Sequence, residues 1–242
     1  MSKSKFYTTI YRDEHIIVLN KSAGIPVVPT RNPNEKSLVK LLQYQLDQHI
    51  FVVHRIDRET SGIVIFAFDE ASHKILNNQF FKREVEKHYI ALCEGNTPST
   101  WTTVNKNLSM DSNTNRMKVD TRGKEAISHY KTLESSNRFS KNLIHIETGR
   151  THQVRIHLSS EGFPIIADPL YNFKAPLKLS DIKKKYVAAG KGKEERALMQ
   201  RTALHAHSLK IKHPINKDSM TFEAELPKDM RACWNQIMKW DK

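Results

Sequence analysis

Apolar residues come in short bursts along this chain, and their spacing switches between strand and helix periods. Residues 16–19 form an apolar run of strand length, and Asn20-Lys21-Ser22-Ala23-Gly24 after it has turn composition. Leu38, Leu41, Leu42 and Leu46 recur at helical spacing, which predicts a helix over 37–46 capped by Ser37. Phe51, Val52 and Val53 precede a polar loop, and the run 63–68 follows it, giving a strand–loop–strand unit. Asp69 then caps a helix whose inner face is Ala71, Ile75, Leu76 and Phe80. Strands are predicted at 88–93, 126–133 and 143–147, and a hairpin at 208–211 and 220–224. The end is helical, with Met230, Trp234 and Ile237 on one face. Residues 151–158 carry both periods: Val154, Ile156 and Leu158 alternate with Arg155 and His157, yet Val154 and Leu158 also fit a helix capped by Thr151.

Two stretches break the pattern. Residues 105–124 are polar and read as a hairpin with an exposed tip. Residues 173–196 are lysine-rich and read as an insertion, either a solvated excursion or a segment that grips a polyanion. With no internal repeat and no Pro/Gly/Ser linker, residues 1–242 are expected to form one domain. The longest apolar run is far too short to span a bilayer, and Met1-Ser2-Lys3-Ser4-Lys5 lacks the apolar core of a secretion signal, so a cytoplasmic location is expected. Cys93 and Cys233 cannot build a disulfide framework or a four-ligand metal site, and are read as reduced, packed thiols. The net charge of +13, from 39 Lys+Arg against 26 Asp+Glu, favours a polyanionic partner such as RNA or DNA.

Candidate chemistry gathers in three polar segments. In His54-Arg55-Ile56-Asp57-Arg58-Glu59-Thr60-Ser61-Gly62 one acid sits between two arginines in a loop gripped by strands. Fixed positive charge favours a carboxylate over the acid, which suits a nucleophile or an electrostatic anchor; an ordinary solvated salt bridge is the plainer alternative. The second segment is Thr148-Gly149-Arg150-Thr151-His152-Gln153-Val154-Arg155-Ile156-His157-Leu158, continuing through Asp168-Pro169-Leu170-Tyr171. The third is Leu204-His205-Ala206-His207. With Lys87-His88-Tyr89-Ile90-Ala91 between the first two, this set and its order resemble the RluA-type RNA pseudouridine synthases, over nearly all of residues 11–230. Some members carry an N-terminal S4-type RNA-binding module, and none is expected in the short stretch before Ile16.

The resemblance implies an α+β fold: a mixed, mainly antiparallel sheet with flanking helices and a central basic cleft. It places a helix after a strand at residues 151–158 and implies isomerisation of uridines in structured RNA, ribosomal or transfer. That reaction detaches a uracil, turns it and rejoins it, with no redox change, so no cofactor or metal is expected. No Walker loop, dinucleotide glycine pattern or zinc spacing is present. The target base must leave its stack to be reached. By the resemblance, Asp57 is the essential carboxylate, Tyr89 stacks on the target and assists proton transfer, and Arg155 pairs with Asp57. Arg55 holds the extruded nucleotide's phosphate or fills the vacated space. Arg150, His152 and Gln153 line the RNA face, and Ile156 packs beneath the base. His54 is expected to donate to backbone within its loop. Ser22 departs from the family's usual proline; Ala167 and Asn172 replace common glycines, with Asn172 tolerant of positive φ. The expected partner is RNA, with no membrane and no obligate protein partner, for a monomer. A non-catalytic RNA-binding protein that keeps the fold, and a metal-dependent phosphodiesterase, are the competing readings.

Overall fold

The computed structural model describes residues 5–32, 34–114, 116–172, 176–184, 186 and 195–242. Backbone contacts gather the chain into two compact units, Met1–Tyr89 with His205–Glu225, and Ile90–Leu204 with Leu226–Lys242. Unit 1 contains β1 (Tyr7–Arg12), β2 (Ile16–Lys21), α1 (Leu38–Leu46), β3 (Phe51–Val52), β4 (Ser61–Ala67), α2 (Glu70–Phe81) and the start of β5 (Glu86–Glu94). Unit 2 continues with β6 (Thr102–Asn105), β7 (Leu108–Asp111), β8 (Arg116–Val119), β9 (Ile127–Ser135), β10 (Phe139–Ile146), α3 (Gln153–Ser160), β11 (Leu177–Lys178) and β12 (Ala197–Met199). Strands β13 (Leu204–Lys212) and β14 (Ser219–Glu223) belong to unit 1, apart from Leu204, and α4 (Lys228–Trp240) to unit 2. The architecture is α+β with mainly antiparallel pairing.

In unit 1 the strand order is β1-β2-β4-β13, with β3 on β4 and β14 on β13. Every residue of β4 is buried, as a central strand covered on both faces requires. The period of two divides the apolar residues between two layers. Ile17, Leu19, Val64 and Phe66 pack with Leu38 and Leu42 of α1. Ile16, Val18, Ile63 and Ile65 pack with Leu76 of α2 and with Leu209, Ile211 and Phe222. The pairing of β4 with β13 is parallel, with Ser61 opposite His205 and Gly62 opposite Ala206. Gly62 has φ +112°, and a Cβ there would lie 2.1 Å from the Ala206 carbonyl oxygen. Only glycine allows that approach.

Unit 2 pairs β6, β9 and β10 antiparallel, while β7 and β8 form a separate hairpin. That hairpin fulfils the expectation for residues 105–124, and Asn115 near its tip lies outside the described residues. Helix α4 buries Met230, Cys233, Trp234 and Ile237. Both cysteines are buried and unbridged, and burial pushes their thiols up to about 12. Among the described residues no helix is long and apolar enough to cross a membrane.

Several local expectations change. Ser37 is the N-cap residue of α1, but its hydroxyl makes no cap bond and is buried without a partner among the described residues. The first amides instead donate to backbone: Leu38 N to Pro26 O at 2.9 Å and Val39 N to Val27 O at 3.0 Å. Asp69 does cap α2, accepting from Ser72 N at 2.7 Å. Leu76 and Phe80 pack inward as expected, but Ala71 is exposed, and Ser72 and Gln79 are buried as well, the Gln79 amide donating to Lys212 O and accepting from Lys212 N. Residues 151–158 resolve as the start of α3, but its cap is His152 in left-handed conformation, not Thr151. Of the lysine-rich insertion, 176–184, 186, 195 and 196 are described, including β11; the rest, with Lys185, Lys191 and Lys193, lies outside the described residues.

Candidate active site

The Asp57 loop is held from below by a lysine that apolar patterning did not mark. Lys21 ends β2 fully buried, and its ammonium donates to the carbonyls of Ser22, Ile25 and Arg58, each at 2.9 Å. Gly24 N adds a bond to Arg58 O at 2.9 Å, and Thr60 N closes a turn on Asp57 O at 3.2 Å. The turn after β2 and the Asp57 loop are therefore one hydrogen-bonded body. Arg58 turns its guanidinium to Glu35 at 2.5 Å. At the far end Ser61 Oγ bonds His205 Nδ1 at 2.9 Å, and His205 Nε2 lies 3.1 Å from Ala224 O. Asp57 is half-buried between exposed Arg55 and Arg58.

Tyr89 lies in the same unit, packed against the α1 layer. Burial and then the Asp57 carboxylate hold its phenol well above the usual tyrosine range, so the hydroxyl keeps its proton at neutral pH. Unit 1 thus brings Asp57 and Tyr89 within electrostatic reach of each other. His54 accepts a hydrogen bond from Ile65 N at 3.2 Å and stacks on Phe80 at 4.8 Å. It was expected to donate within its own loop. Burial and then the Lys87 cation lower its pKa to about 3, so the ring is neutral and its Nε2 acts as acceptor to β4.

In unit 2, Arg155 is buried at 6 % exposure and forks onto Asp168, which is fully buried. Nε and Nη2 donate to the two carboxylate oxygens at 2.7 Å each. Oδ1 of Asp168 also accepts from Leu170 N at 3.0 Å and Tyr171 N at 3.3 Å. The guanidinium lies 5.2 Å from the Tyr171 ring centre. This bidentate geometry fixes the direction of the side chain. Asp168 and Tyr171 carry no role in the sequence analysis above; the only signal for them was their place in the segment that resembles the family.

The neighbouring candidates divide. Gln153 is 2 % exposed, and its amide is spent inside unit 2: it accepts from Thr148 Oγ1 and Arg150 N, and donates to Ile127 O and Ser128 Oγ. It braces the turn before α3 rather than presenting itself to a ligand. Ile156 is core, packed with Leu108 and Ala126. His152 is half-buried, with Nδ1 2.9 Å from the Tyr171 hydroxyl. Arg150 reaches Glu125 O through Nε at 2.9 Å. His157 bonds Ser128 Oγ and Lys106 O, and His207 lies 2.9 Å from Ala224 O. Of the two residues that replace the family's glycines, Ala167 takes positive φ, at +56°, and Asn172 does not; the Asn172 side chain donates to Glu94 Oε1 and Ile165 O.

The described residues match known proteins along most of their length. The family described as RNA pseudouridylate synthase matches residues 15–160. The chain is 34 % identical to ribosomal large subunit pseudouridine synthase D of Zymomonas mobilis, over 95 % of this chain and 72 % of that one. It is 36 % identical to dual-specificity RNA pseudouridine synthase RluA of Haemophilus ducreyi, over 91 % and 93 % respectively. Among solved structures, human RNA pseudouridylate synthase domain containing 4 superposes with a TM-score of 0.70 at 22 % identity, covering 95 % of this chain and 92 % of that chain.

Proposed function

The chain belongs to the RNA pseudouridylate synthase family and isomerises uridine to pseudouridine in RNA, and on that premise we propose that Asp57, Tyr89 and Arg155 carry the reaction on a structured ribosomal or transfer RNA. The observation that carries this reading is the half-buried Asp57, in a loop pinned by Lys21, with Tyr89 in its electrostatic field.

The reaction conserves atoms. The bond between C1′ and N1 breaks, the uracil turns, C5 bonds to C1′, and the proton lost from C5 is balanced by one gained at N1. Asp57 acts at carbon as nucleophile or removes a sugar proton. Tyr89 stacks on the uracil and starts out protonated. When Asp57 bonds to carbon or takes a proton its charge is lost, and one of the two forces holding the Tyr89 proton disappears. Burial still keeps the phenol protonated, so it can serve only as a relay, giving up its own proton towards N1 as it receives the one from C5. Arg155, oriented by Asp168, serves Asp57, and Arg55 takes the phosphate of the flipped nucleotide. Arg150 and His152 meet the RNA, with Gln153 and Ile156 supporting them from the core.

The enzyme works in the cytoplasm as a monomer, without an obligate protein partner; light scattering of the purified chain checks the monomer. The substrate comes from pseudouridine mapping of cellular RNA with and without the protein. Replacing Asp57 with Asn keeps the shape and removes the charge. RNA affinity should change less than about twofold while the mapped pseudouridine disappears. Pseudouridine formed at the wild-type rate by Asp57→Asn would end the proposal.

A further inference from the structure

Beside Arg150, unit 2 contains a pocket of about 480 Å³ at the base of the β7–β8 hairpin. That size lies in the roughly 300–1,000 Å³ range that admits small organic ligands. Leu108, Met110 and Met117 supply its apolar wall; Arg122, Lys124 and Arg150 supply charge; and none of its lining residues is acidic. Met110 is 53 % exposed, an apolar, polarisable side chain open to solvent on the hairpin.

The pocket is built by close backbone contact. Leu108 N donates to Lys124 O at 2.9 Å, and Lys124 N to Leu108 O at 2.8 Å. A Cβ on Gly123 would meet the Leu108 carbonyl at 2.5 Å, so glycine at 123 lets the turn lie against β7. Gly123 N on Asp120 O and Arg122 N on Asp120 Oδ1 close that turn, and Asp120 Oδ2 accepts from Ser109. The nearby carboxylate is thus occupied within the turn. Among the described residues the Arg122 and Lys124 side chains make no hydrogen bond or ion pair, and both are exposed.

We propose that this pocket is a second nucleotide subsite, which takes an unpaired base of the substrate RNA other than the target uridine. The base lies against Met110 and Met117, where sulfur–ring contact is favourable, while Arg122, Lys124 and Arg150 hold the flanking phosphates. Cations around an apolar slot, with no acid among them, fit a nucleotide: they attract its phosphates and repel a cationic ligand. The inference rests on the RNA-modifying reading above and assigns part of its specificity to the hairpin.

The test uses the full chain and single-stranded transcripts of large-subunit ribosomal RNA and of transfer RNA, substituted with 4-thiouridine. Irradiated complexes of the wild type should crosslink within residues 108–124. Met110→Ala with Met117→Ala should raise KM for pseudouridine formation about tenfold with kcat little changed, as loss of one base-stacking contact predicts. Leu at both positions should restore KM. Arg122→Ala with Lys124→Ala should make the log–log salt slope of binding shallower by about 1.4, at about 0.7 per phosphate. Thermal melts of each variant establish that it is folded. Unchanged KM and salt slope, with no crosslink in 108–124, would overturn the proposal. Should the wild type form no pseudouridine, the catalytic reading fails by itself; crosslinks and salt slope, which need no turnover, still decide the pocket.

Discussion

The fork between Arg155 and Asp168 offers a quantitative test of how Arg155 is held in unit 2. Replacing Asp168 with Ala removes both oxygens that face Nε and Nη2, in a place where Arg155 is 6 % exposed and Asp168 is fully buried. The backbone amides of Leu170 and Tyr171 lose their acceptor in the same change. Breaking a buried ion pair from one side costs about 3–5 kcal/mol, because the remaining charge stays desolvated. In a chain of this length each kcal/mol moves Tm by about 2–4 °C, so a drop of roughly 6–20 °C is expected. Asp168→Asn should fall between wild type and Ala, since it keeps the volume and one acceptor but turns N–H groups towards a cation. The pair Arg155→Met with Asp168→Leu replaces both charges by apolar groups and should recover more than half of the lost stability, yet form no pseudouridine. The assays are calorimetric melts and initial rates of pseudouridine formation. Asp168→Ala melting within about 2 °C of wild type would show that the fork does not carry the stated load. Full activity in the Met/Leu pair would refute a role for the Arg155 charge.

Two further expectations follow from unit 1. Lys21→Met deletes three bonds from a buried ammonium to carbonyls, including the one to Arg58 beside Asp57. A loss of at least about 3 kcal/mol in urea unfolding is expected, with kcat reduced more than KM because Asp57 is misplaced; wild-type kcat would contradict the bracing role. The second concerns pH. The folded pKa of His54 is lowered to about 3, below the ordinary 6.5, so between those values the unfolded chain binds the extra proton. Its contribution is fully present above about pH 6.5 and is lost as pH falls, by up to about 1.4 kcal/mol per unit. Half-buried His88 and buried His157 shift in the same direction. His54→Asn cannot titrate there, so its stability should fall less steeply than wild type between pH 6.5 and 5; parallel curves from urea melts would exclude His54 as the cause.

The chain's own pattern determined which segments become strands and helices and which polar residues hold chemistry. The alternation in 16–19 and 63–68 divides cleanly between two apolar layers, because a strand's faces are set by a period of two whatever its partners are. The Asp57 loop, the 105–124 hairpin and the terminal helix were legible for the same reason: each is a local signal. Partnership is not local. Nothing near Lys21 announces that its charge will be spent on Arg58, 37 residues away, or that Gln79 will bond a backbone 133 residues on rather than face solvent. Periodicity alone could not decide between strand and helix at 151–158, and the cap moved to His152 in left-handed conformation. The family resemblance put Gln153 on the RNA face; burial and four hydrogen bonds make it a brace. Sequence supplies each side chain's chemistry, but its hydrogen-bond partners and its exposure to water depend on segments brought together only when the sheets close.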